Sequence, residues 1–184
     1  MKKDEIRRCI RARKALLDDD ERRQAALRVF EAVQSMAAFT MARRILMYHS
    51  LPDELSTLEF IDRWHTEKEF FLPRVNGLNL EILPYDRSRL HLGAFNIEEP
   101  DGIETVDIND IDLVIVPAVA YDRQGNRVGR GKGYYDRLLS TARSLTTIGV
   151  GYGFQLVDEI DADPFDVAVN FIVTDGNGII RAGR

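Results

Sequence analysis

The chain has 184 residues, 45% of them hydrophobic and 30% charged, the proportions of a soluble globular protein long enough to bury one core. A formal net charge of −5 argues against a nucleic-acid partner, and no apolar run approaches the roughly 20 residues that cross a bilayer. Cys9 is the single cysteine, which excludes an internal disulfide; with a charged N-terminus that lacks the apolar core of a signal peptide, it predicts a cytoplasmic protein.

Lys2 to Leu17 reads as a helix, with Ile6, Cys9, Ile10, Leu16 and Leu17 on one side and a run of arginines and Lys14 mostly on others. Such a charge run ordinarily means a solvated face. Lys3 and Arg7 are four apart and share one helical face. Asp18-Asp19-Asp20-Glu21 is an acidic start for a second helix, and Leu27, Phe30 and Val33 give that helix a core face. Ile45 to Tyr48 is a short strand leading into His49-Ser50-Leu51-Pro52-Asp53-Glu54, a loop whose carboxylates read by default as turn or capping groups. A helix follows from Ser56 or Thr57, burying Leu58, Ile61 and Trp64. Phe70 to Arg74 and Leu78 to Tyr85 are strands, the second alternating as a half-buried strand does. His65 and His91 have no partner at metal-ligand spacing. Ile111 to Val116 is an apolar, β-branched run ended by Pro117, and Tyr134 onward has helical spacing. Thr146 to Gly153 is a strand containing Gly149-Val150-Gly151-Tyr152-Gly153, where glycine implies a close-packed neighbour. Val167 to Val173 is the last strand, and Asp175-Gly176-Asn177-Gly178 turns into the C-terminus. No repeat or linker divides the chain, so residues 1–184 are expected to form a single domain.

The stretch between the apolar run and the helix at Tyr134 carries the chemistry. Gly129-Arg130-Gly131-Lys132-Gly133 alternates three glycines with two cations, and Arg127 stands just upstream. Exposed amides of such a loop, followed by a helix N-terminus, make an anion seat, and the cations suit it to a polyphosphate. It is not a P-loop, because Lys132 is followed by Gly133 rather than Ser or Thr, and its third glycine comes too early for the dinucleotide GxGxxG. A surface turn bearing solvated cations is the alternative reading of the same residues.

Val116-Pro117 through Tyr121-Asp122, then Gly125 through Asp136 (GNRVGRGKGYYD), closely resembles the signature of the 5-formyltetrahydrofolate cyclo-ligases, also called methenyltetrahydrofolate synthetases. The resemblance implies a three-layer α/β/α domain with a mixed, largely parallel sheet, similar to sugar-phosphate isomerases and CoA transferases. It implies ATP-dependent closure of 5-formyltetrahydrofolate to 5,10-methenyltetrahydrofolate, with release of ADP and phosphate. It assigns Arg127, Arg130 and Lys132 to catalysis, and Lys3, Arg7 and Gly129 to Asp136, including Gly131, Gly133, Tyr134 and Tyr135, to ATP. Glu54 matches a folate-binding glutamate, His49 a wall of the substrate site and Phe95 a stacking aromatic; Tyr134 and Tyr135 are further candidates to wall the folate. Asp136 and Asp166 match ligands of Mg2+. A monomer acting on a small molecule, with no nucleic acid or membrane as partner, is the expected state. Two rivals stay open on the residues alone: an α/β enzyme without ATP chemistry, and a non-catalytic nucleotide-binding module.

Overall fold

The computed structural model describes residues 2–92 and 98–183. In chain order its elements are α1 (Lys3–Lys14), α2 (Asp19–Ser35), α3 (Ala37–Met41), β1 (Arg44–Leu46), α4 (Leu58–Trp64), β2 (Glu69–Asn76), β3 (Asn79–Pro84), β4 (Leu90–Leu92), β5 (Glu98–Pro100), β6 (Leu113–Pro117), β7 (Ala120–Tyr121), β8 (Arg127–Val128), α5 (Tyr134–Ser140), β9 (Thr146–Gly151), β10 (Phe171–Thr174) and β11 (Gly178–Arg181). The acidic run opens α2 through a capping box: Asp18 accepts from the Glu21 amide, and the Glu21 carboxylate accepts from the Asp18 amide.

The main sheet has the order β11-β10-β9-β6-β1-β2-β3. The five strands from β10 to β2 run parallel, and an antiparallel strand closes each edge, β11 beside β10 and β3 beside β2. Strands this thoroughly buried alternate between two apolar faces. Ile45 and Met47, Phe70 and Leu72, and Leu113 and Ile115 pack with Val29, Phe30 and Val33 of α2, Phe39 of α3 and Phe60 and Ile61 of α4. Leu46, Phe71, Val114 and Val116 point the other way, to Leu139 of α5, Tyr121 and Val169. The result is a mixed, largely parallel sheet between two layers, the expected α/β architecture.

Three local expectations change. β11 pairs along β10 where a simple turn into the C-terminus is expected, and β10 begins at Phe171 rather than Val167. Pro117 does end β6, from inside it, as the strand's last residue in register with Val150. Beyond it lies a hairpin that the apolar pattern does not announce, β7 against β8.

The strand order fixes where a ligand can bind. From β1 the chain moves outward to β2; it later returns to the other side of β1 as β6 and proceeds away through β9 and β10. Neighbouring strands β1 and β6 therefore send their connections in opposite directions, and the carboxyl ends of such a pair open a crevice. The loop holding Glu54 leaves β1 at this edge, and the β7–β8 hairpin with the glycine loop leaves β6 at the same edge.

Candidate active site

Asp122 builds the turn from which the glycine loop departs. Fully buried, it accepts from the amides of Gln124 and Asn126 through Oδ1, and from Asn126 Nδ2 and the Ile160 amide through Oδ2, at 2.9–3.1 Å. The hairpin so fixed puts Val128 and Ala120 against Ile6 and Ile10 of α1. Because Lys3, Arg7 and Lys14 share the helical face of these isoleucines, docking α1 brings Arg7 to the loop, Lys3 to Asp163 and Asp166, and Lys14 to Asp53. Arg7 Nε donates to the Gly129 carbonyl at 2.9 Å, and Lys3 Nζ reaches both Asp163 and Asp166 at 2.6 Å.

The loop itself turns through Gly131, with φ +100°, and Gly133, with φ +66°. Both values are in the region where a Cβ is penalised, so the alternate glycines are a backbone requirement. α5 then runs for only seven residues, too short for its dipole to be a main term. An anion seat of the kind expected from the sequence would rest on the loop amides and side chains instead. Arg137 braces the loop, donating through Nη2 to the Lys132 carbonyl at 2.8 Å and through Nε to the Leu78 carbonyl at 2.7 Å.

The two halves of the crevice meet at Arg130. Its Nη2 is 3.0 Å from Glu54 Oε1 and 2.7 Å from Asp53 Oδ1. Glu54 also accepts from the Leu51 amide through Oε2. Arg127, with its side chain 3% exposed, lies below the loop with Nη2 3.0 Å from Asp136 Oδ1. The angle there does not make a hydrogen bond, and among the described residues neither Arg127 Nε nor Nη2 nor the buried Tyr135 hydroxyl has a hydrogen-bond partner. Buried polar groups of this kind are costly unless something satisfies them. Burial, with the Glu54 charge adding, pushes the Tyr135 hydroxyl far above the usual range, while Arg127 opposes the shift. Tyr135 is thus close enough to both Glu54 and Arg127 to feel their charges.

Of the other expected residues, Asp136 accepts from the Val167 amide through the same Oδ1 that faces Arg127. Asp166 accepts from Lys3 and from the Asp163 amide, both through Oδ2. Burial would raise the Asp166 carboxyl, but Lys3, the Asp163 amide and the Arg127 charge together hold it below the ordinary range. No group of three or more His, Cys, Asp or Glu among the described residues could cage a metal. Two carboxylates whose contacts each fall on one oxygen fit Mg2+ when phosphate oxygens and water complete its shell, the usual arrangement for that ion. His49 Nε2 lies 2.9 Å from Glu98 Oε2. Tyr134 carries the Arg137 guanidinium over its ring at 5.4 Å and faces the turn at Gly77. Lys132 is exposed on the loop, and Phe95 lies outside the described residues.

Lys14, Asp53, Asp122 and Arg137 belong to this assembly although the sequence reading gave none of them a role in the site. For Lys14 a signal existed: it lies seven residues after Arg7, hence on the same face. A separate cavity of about 1040 Å³, lined by Arg44, Asp62, Lys68, Glu69 and Arg87 among others, opens at the amino ends of β1 and β2. None of residues 129–136 lines it, and its charges are mixed in sign.

The 5-formyltetrahydrofolate cyclo-ligase family matches residues 1–175. A 5-formyltetrahydrofolate cyclo-ligase of Escherichia coli is 29% identical over 174 residues, covering 90% of this chain and 96% of its own length. The Haemophilus influenzae protein of the same description is 30% identical over 175 residues, covering 90% and 94%. An NMR structure of Aquifex aeolicus 5,10-methenyltetrahydrofolate synthetase superposes with a TM-score of 0.89 at 33% identity, covering all of this chain and 95% of the other. With the glycine loop, the crevice between β1 and β6 and these likenesses in agreement, the chain belongs to the 5-formyltetrahydrofolate cyclo-ligase family.

Proposed function

We propose that the chain catalyses the ATP-dependent cyclisation of 5-formyltetrahydrofolate to 5,10-methenyltetrahydrofolate, with the glycine loop holding the nucleotide and Glu54 the folate. The observation that carries this reading is the 3.0 Å contact between Arg130 and Glu54, which sets a polyphosphate loop against a carboxylate able to accept the paired N–H groups of a pterin. The two orphaned nitrogens of Arg127 beside the same crevice support it: they are donors suited to an anionic ligand.

The chemistry explains the need for both ligands. The N5-formyl group is an amide, and its oxygen leaves too poorly for N10 to displace it. When that oxygen attacks the γ-phosphorus, ADP departs and the formyl carbon becomes iminium-like. N10 then adds to the carbon, loses its proton, and phosphate leaves with the former formyl oxygen. The protein forms no covalent bond; it positions the partners and neutralises charge. In this reading Arg130, Lys132 and the amides from Gly129 to Gly133 face the transferring phosphoryl, while Lys3 and Arg7 hold the outer nucleotide. Arg127 supports the phosphate end from below. Asp136 and Asp166 would hold Mg2+, which would supply charge neutralisation to the phosphates. We place the enzyme in the cytoplasm as a single-domain monomer; its one free cysteine, Cys9, fits a reducing compartment, and no helix among the described residues is long and apolar enough to cross a membrane.

The test is to mix protein, Mg-ATP and 5-formyltetrahydrofolate and follow the methenyl chromophore. Wild type should form it. Lys132→Ala should lose on the order of 30- to 1000-fold in kcat/KM, equivalent to about 2–4 kcal/mol for one charge-stabilising donor. Asp136→Asn should lose activity alongside. No methenyl product from wild type would refute the activity, and undiminished variants would refute the site.

A further inference from the structure

Asp53 and Glu54 spend both their charges on one guanidinium. Arg130 Nη2 bridges the two carboxylates, and Lys14 Nζ stands 3.6 Å from the second oxygen of Asp53. The Lys14 side chain is only 7% exposed. A lysine has a long enough stem to carry its ammonium out to water, and enclosing the charge costs several kcal/mol unless carboxylates compensate it. Burial accordingly pulls the Lys14 ammonium below its usual range, with Asp53 and Glu54 opposing that pull. Two cations and two carboxylates form a nearly neutral circuit, and Arg130 is the member that the glycine loop contributes.

The circuit has a consequence that rests on the function proposed above. A phosphate that draws on Arg130 Nη2 competes with both carboxylates for it, and Arg130, which holds Glu54 Oε1 through Nε and Nη2, competes with a pterin N–H for that oxygen. We propose that Asp53 and Lys14 are positioning residues that set the availability of Arg130, so that nucleotide and folate bind cooperatively: phosphate draws Arg130 off Glu54, and Lys14 remains as counter-ion to Asp53. Linkage makes the coupling reciprocal, so folate must raise nucleotide affinity by the same factor.

The roles of the two residues have opposite signs. Removing the Lys14 charge leaves Asp53 dependent on Arg130 and makes the guanidinium harder to release. Neutralising Asp53 removes a competitor for it. The experiment is calorimetric titration with a non-hydrolysable ATP analogue and with 5-formyltetrahydrofolate, each alone and each in the presence of the other. In wild type each ligand should tighten the other by about tenfold, within the range of roughly 5- to 150-fold seen for coupled sites. Lys14→Met should weaken analogue binding several-fold, Lys14→Arg should largely restore it, and Asp53→Asn should tighten it. A role in folding alone would weaken binding in both charge-removing variants. Independent binding of the two ligands in wild type would overturn the proposal, as would loss of affinity in Asp53→Asn. Asp53 is half exposed, so that variant keeps the test decisive even if Lys14→Met fails to fold. If wild type binds neither ligand, the proposed function itself falls, an outcome distinct from binding without coupling.

Discussion

Asp122 accepts four hydrogen bonds in a fully buried position and reaches no position expected of a ligand; its contribution is the shape of the turn that launches Arg127 and the loop. Replacing it with alanine strands buried donors, and Asp122→Ala should lose about 3 kcal/mol of stability in a urea titration. Loss of activity with unchanged stability would contradict that purely architectural role. Gly149 makes a second residue-scale case. A Cβ there would lie 2.3 Å from the Tyr121 ring, which is itself fully buried. Gly149→Ala should therefore cost about 1–3 kcal/mol through overpacking, read as a lowered urea midpoint. The sequence made a close neighbour of this glycine legible but not its identity, since Tyr121 lies 28 positions earlier and arrives through the hairpin. For Lys14 the shared face with Arg7 was legible but its burial was not, for a related reason. A cation in a charged run looks solvated until the partner that covers it, here the loop at Asp53, is folded over it.

α1 shows how an element's apolar residues can serve its polar ones. Ile6 and Ile10 dock on Ala120 and Val128, and that docking carries Lys3 and Arg7 to the loop and to Asp166. Ile6→Ala should cost roughly 2–4 kcal/mol in stability. It should also raise KM for ATP more than it lowers kcat, measurable by steady-state methenyl formation at saturating folate; a kcat loss with unchanged KM would argue that α1 is scaffold only. The long apolar runs and the acidic start of α2 were readable because their signals are local. The β7–β8 hairpin and β11 were not, because two-residue strands have too little pattern and an edge strand with Ile179 and Arg181 exposed resembles a tail. Those short elements nonetheless decide the site, since the hairpin aims the glycine loop back over β1.

At the scale of the whole molecule, the switch in strand direction between β1 and β6 gathers residues from 3 to 166 onto one edge of the sheet. The motif near Gly129 pointed to the family from sequence alone, whereas the meeting of Glu54 with Arg130 needed the topology. The same edge buries several phenols. Burial chiefly, with the Glu54 charge adding, raises the hydroxyls of Tyr48, Tyr121 and Tyr135 above their ordinary value of 10.0. The folded chain thus holds these protons more tightly than the unfolded one, so the stabilisation is complete below about pH 10 and is lost as pH rises beyond it. These three, with Tyr85 and Tyr152, which burial shifts in the same direction, should ionise late in an absorbance titration, the three together with loss of circular dichroism; their titration in the ordinary phenol range while the chain is still folded would contradict the burial. The central claim is that the glycine loop seats the phosphates beside Glu54. A crystal structure with a non-hydrolysable ATP analogue tests it most directly. It should show the triphosphate on the amides of Gly129 to Gly133, with Arg130 turned from Glu54 toward phosphate; a triphosphate lodged instead in the cleft between Arg44, Lys68 and Arg87 would contradict the account.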